Sequence, residues 1–99
     1  GGDSIRVAEY ATFGTDALSE HVLRALDGRT ACLIANHGIV AAGGSLDEAM
    51  RVASEVETLA AMYLAALSVG EPVVLTAEEM ADVLPRFARY GRTELPESR

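Results

Sequence analysis

The chain has 99 residues, 49% of them hydrophobic and 23% charged, with a formal net charge of −7. That length allows one small domain at most, and the composition is too apolar for a disordered chain. An acidic balance, with a pI near 4.6, argues against a nucleic-acid or membrane surface, because both need a basic footprint, and leaves a small solute or another protein as partner.

Gly1-Gly2-Asp3-Ser4 lacks a methionine and leads straight into strand-like sequence, so the chain reads as a piece of something longer. Residues 5–8, Ile-Arg-Val-Ala, alternate apolar and polar as a short strand does. A loop over residues 9–14 follows. Thr15 or Asp16 is placed to cap a helix in which Ala17, Leu18, Val22, Ala25 and Leu26 recur at helical spacing until Asp27-Gly28 stops it. His21 lies in the middle of that helix, where solvent exposure is expected.

Residues 30–35 and 39–42 are two apolar runs of the kind that strands buried on both faces show. Cys32, the single cysteine, falls inside the first run. It has no partner for an internal disulfide and is expected to pack as a small hydrophobe in a reducing cytosol. Asn36-His37-Gly38 breaks the two runs apart. Glycine tolerates positive φ and asparagine partly does, so the backbone can turn sharply there and present the intervening imidazole outside the sheet.

Gly43-Gly44 closes the hairpin, and Ser45-x-x-Glu48 is a capping box for the longest element. Its apolar stripe runs through Leu46, Met50, Ala53, Val56, Leu59, Tyr63, Leu64 and Leu67 to about Ser68, with Gly70 and Pro72 beyond. On that stripe Tyr63 reads as core. Thr76-x-x-Glu79 is a second capping box, starting a helix from Ala77 to about Val83 that Pro85 should kink or end. The remaining tail, with Phe87 and Tyr90, reads as a helix end and a terminus. No apolar run reaches the ~18 residues of a membrane span.

A lone histidine in a turn reads as structural or as a ligand, and a metal centre needs three or four protein donors. His-x-His, HExxH and paired CxxC do not occur, and no glycine pattern suits a nucleotide. The carboxylates, such as Glu78-Glu79 in a first helical turn, suit solvated faces and the helix dipole. The residues by themselves therefore leave His37 open between the two readings.

The order "YATFGTDALSEHV", "LIANHGIVAAG", a long "EAMRVASEVETLAAMYLAAL" helix and "RYG" resembles the class II aldolase/adducin family over essentially all 99 residues, which would form the C-terminal part of a single family domain. The resemblance implies an α/β fold of three α-β-α layers around a mainly antiparallel sheet. It also implies a zinc cofactor held by three histidines, of which His37 would be the third. Phe13 would line the aldehyde end of the site, and Tyr90 would reach a neighbouring subunit's site as a catalytic residue. The His-x-His pair, the acid/base glutamate and the phosphate cradle would lie upstream.

The reaction so implied is reversible cleavage of a ketose 1-phosphate, such as L-fuculose 1-phosphate, to dihydroxyacetone phosphate and an aldehyde (lactaldehyde). It would run in a cytoplasmic homo-oligomer, a tetramer with sites at subunit interfaces. Family members acting on L-fuculose 1-phosphate carry two successive histidines in the turn where this chain has Asn36-His37. A sugar-phosphate 4-epimerase, a dehydratase and a non-enzymatic adducin-like module are the alternatives.

Overall fold

The computed structural model describes residues 2–87; Tyr90 lies outside them. Three strands and three helices follow one another as β1 (Arg6–Ala8), α1 (Asp16–Leu26), β2 (Ala31–Ile34), β3 (Gly38–Ala41), α2 (Leu46–Leu67) and α3 (Ala77–Phe87). The sheet order is β1-β2-β3. β1 pairs parallel to β2, with Val7 opposite Leu33, and β2 pairs antiparallel to β3, with Leu33 opposite Ile39. A parallel pair cannot be joined by a tight turn, and α1 supplies the crossover it needs. The described sheet is thus mixed, with one pair of each kind.

Side chains alternate across a strand, so Cys32 and Ile34 share one face and Ala31 and Leu33 the other. Ala8, Cys32 and Ala25 of α1 form the buried cluster, with Val22, Leu26, Ile34 and Val40 packed against it. Ala31 is also buried, as is Val56 of α2, which packs on β3 and β2. Coverage on both faces therefore holds for Ala31 and Cys32 only. Leu33, Ile34 and most of β3 are half-buried.

Helix boundaries follow their caps. Thr15 Oγ1 accepts from the Leu18 N–H at 3.3 Å to start α1. At its far end the guanidinium of Arg6 donates to the carbonyls of Ala25 and Asp27, two groups that a helix end leaves without an intrahelical donor. Ser45 Oγ accepts from the Glu48 N–H at 3.1 Å, and the Glu48 carboxylate accepts from the Gly44 N–H at 2.9 Å, one residue earlier than a standard capping box. At α3 the box is complete, since Thr76 and Glu79 each accept the other's backbone N–H.

Two expectations are corrected here. Helix α3 runs through Pro85 to Phe87 instead of stopping near Val83. The proline removes one bond, to the carbonyl of exposed Ala81, and it does so within the last described turn, so a single group left to water is the main loss. Tyr63 is 51% exposed instead of core, together with Leu59, Met62 and Leu64, because the described residues leave that face of α2 uncovered.

Candidate functional site

The connection between β2 and β3 is three residues long, 35–37, and closes with the His37 N–H donating to the Ile34 carbonyl at 3.0 Å. Asn36 sits at φ +68 and Gly38 at φ +149, the sharp bend that these two residue types allow. His37 is exposed beyond the strand ends, as the sequence suggests.

Its ring is not loose. Nε2–H of His37 donates to the Ala11 carbonyl at 2.9 Å, and the ring stacks on Tyr10 with centroids 5.4 Å apart and planes 17° from parallel. A carbonyl can only accept, so the nitrogen facing it carries the proton, and the neutral ring keeps its lone pair on the other nitrogen.

The loop that holds His37 is itself tethered at four carbonyls. Ala8 accepts from the Ala35 N–H at 3.1 Å, Glu9 from Nδ1–H of His21 at 3.0 Å, Ala11 from His37, and Thr12 from the Thr15 hydroxyl at 2.6 Å. Two of the four donors are the chain's two histidines. His21 is therefore not the solvent-facing residue expected: its side chain is 18% exposed, with Nε2 also 3.8 Å from the Glu9 carboxylate. A usable signal existed, because His21 precedes Ala25, the buried residue of α1, by one helical repeat of four and so shares its face.

Tyr10, an aromatic in the loop before α1, reads from the sequence as local packing of an irregular segment, and its stacking partner is not legible there because a loop has no periodicity to read. The structure brings Tyr10, Ala11, His21 and His37 into one assembly. Phe13 follows in the same loop, 79% exposed beside Gly14 at φ +78, and the ring stacked on His37 is that of Tyr10, not Phe13. Tyr90 lies outside the described residues. Cys32 is fully buried, and burial pushes its thiol pKa up, which keeps it protonated and unreactive at neutral pH.

Among the described residues no group of three or more His, Cys, Asp and Glu is placed to hold a metal ion. His37 alone has the features of a single ligand: an exposed imidazole with one nitrogen donating to a backbone carbonyl and the other available, the arrangement that orients metal-bound histidines. No described helix is long and apolar enough to cross a membrane.

Residues 1–64 match the model of the class II aldolase and adducin N-terminal domain. The chain is 50% identical over 97 residues to a 5-methylthioribulose-1-phosphate/5-deoxyribulose-1-phosphate aldolase of Rhodospirillum rubrum, covering 97% of this chain and 44% of that protein. It is 51% identical over 92 residues to an L-fuculose phosphate aldolase of Escherichia coli K12, covering 92% of this chain and 43% of that protein. A solved L-fuculose 1-phosphate aldolase superposes with a TM-score of 0.82 at 46% identity, over 85% of this chain and 40% of its own. The chain thus spans less than half the length of the relatives it matches, and it shares the class II aldolase fold. It belongs to the class II aldolase/adducin family.

Proposed function

We propose that this chain is the C-terminal part of a single class II aldolase domain, completed upstream into a three-layer α-β-α fold with a mainly antiparallel sheet, and that the whole protein is a zinc-dependent aldolase. Its reaction is reversible cleavage of a ketose 1-phosphate to dihydroxyacetone phosphate and an aldehyde. The observation that carries this reading is the tethered imidazole of His37, held at the sheet rim with one nitrogen committed to a carbonyl and one free for a cation.

In this reading His37 is one of three histidine ligands, the other two and the acid/base glutamate being upstream. The Ala11 carbonyl fixes the ring's tautomer and the Tyr10 face fixes its plane, so no rotation of the imidazole is needed when the cation arrives. Zinc, when bound, supplies Lewis-acid stabilisation of the negative charge that develops on substrate oxygens as the carbon–carbon bond breaks, typically several kcal/mol. Exposed Phe13 offers an apolar wall for the aldehyde end. Tyr90 acts at the site of an adjacent subunit in a cytoplasmic homotetramer, holding or protonating the aldehyde oxygen.

The relatives compared above carry aldolase names on phosphorylated sugars, which favours aldol cleavage over epimerisation, dehydration or an adducin-like structural role. With Asn36 in place of a first histidine, and 5-methylthioribulose and 5-deoxyribulose 1-phosphates in the name of one relative, those substrates stand beside L-fuculose 1-phosphate. The test is His37→Ala in the full-length protein, with zinc measured by elemental analysis and cleavage assayed on these three ketose 1-phosphates. Loss of both zinc and cleavage is the expected result; retained zinc would give His37 another role and remove the main support for the proposal.

A further inference from the structure

We infer that His21 is a positioning residue for His37, acting across the β1–α1 loop; the inference rests on the reading of His37 as a metal ligand. The two histidines do not touch. Each donates one ring N–H to a carbonyl of the same short segment, His21 to Glu9 and His37 to Ala11, and these carbonyls bracket Tyr10, whose ring stacks on His37.

Turning the Glu9–Tyr10 peptide would move both the stacking ring and the Ala11 acceptor, so the bond from His21 limits both contacts that orient His37. The segment's other end is fixed to the same turn, because the Ala35 N–H, just after β2, donates to the Ala8 carbonyl. Helix α1 is thus tied to the loop by His21, and the loop to the turn by Ala35 and His37. The His21 side chain itself is 18% exposed, so the ring is held against the loop at the end of this tie. Metal-binding histidines owe their orientation to such outer partners, whose removal typically costs ten- to hundredfold in metal affinity.

The experiment uses the full-length protein labelled with 15N-histidine and compares wild type, His21→Phe, His21→Leu and His21→Asn. Two-bond 1H–15N spectra of the chelator-treated protein report the His37 tautomer, and zinc affinity is measured by competition with a fluorescent chelator. Wild type should show His37 in one tautomer, Nε2–H. His21→Phe keeps the ring's bulk without its donor and should give a mixture of tautomers and about ten- to hundredfold weaker zinc binding; His21→Leu serves the same purpose should the phenylalanine variant not fold. His21→Asn, with an amide N–H near the position of Nδ1, should restore both.

An unchanged His37 tautomer and zinc affinity in the donor-less variants would overturn the inference even if Tm fell, since a purely structural strut would lower Tm alone. Zinc retained by His37→Ala would instead overturn the ligand reading beneath it. The tautomer spectra then still report whether His21 sets the ring, so the two failures are distinguishable.

Discussion

The segment from β1 to the start of α2 and the segment from mid-α2 to α3 both expose large apolar side chains, Val7, Phe13, Leu23 and Leu46 among them in the first, but the first also builds a buried cluster. In the first, Ala8, Ala25, Ala31 and Cys32 are buried, and the loop and turn are tethered carbonyl by carbonyl. In the second, Leu59, Met62, Tyr63, Leu64, Val73 and Val74 are all more than half exposed, Val73 completely. Apolar periodicity defines a face; it does not say what lies against that face. The radius of gyration, 15.9 Å, exceeds the roughly 13 Å of a compact domain of about 100 residues.

The contrast can be tested by substitution. Gly43→Ala in the first segment should cost most, up to about 3 kcal/mol in denaturant unfolding, because the added Cβ would sit 2.8 Å from the Ala49 backbone nitrogen. A near-neutral result would mean that the hairpin and α2 approach each other less closely than described. Val56→Ala, at the one buried position of α2, should cost about 2 kcal/mol from lost apolar burial and the space left behind.

Met62→Ser, less than two turns further along the same helix, should change the stability of the 99-residue chain by less than about 0.5 kcal/mol. Repeating Met62→Ser in the full-length protein sharpens the comparison. A cost there above about 1 kcal/mol would mean that this face is covered in the whole molecule, and equal small effects would mean that it stays open.

Much of the fold is legible in the sequence because local chemistry decides it. Ser45 with Glu48 and Thr76 with Glu79 announce two helix starts, and the Asn36 and Gly38 backbone angles follow from the residue types themselves. His37 at the sheet rim is legible for the same reason. Tethering is not local. The bond from His21 to Glu9 spans twelve residues and that from His37 to Ala11 spans twenty-six, and no short pattern encodes either. Arg6, read only as the polar member of a strand, likewise serves carbonyls about twenty residues away at the end of α1. Pairing direction is equally hidden, since the apolar run of β2 accommodates a parallel neighbour on one side and an antiparallel one on the other.

Cys32 sits at the middle of the three-stranded sheet, inside the cluster that α1 closes, with no exposed surface. Its sulfur can meet an alkylating or oxidising reagent only when α1 lifts from the sheet or the whole unit opens. The rate at which added iodoacetamide consumes the thiol is therefore a clock for that opening, readable by mass spectrometry without any engineered probe.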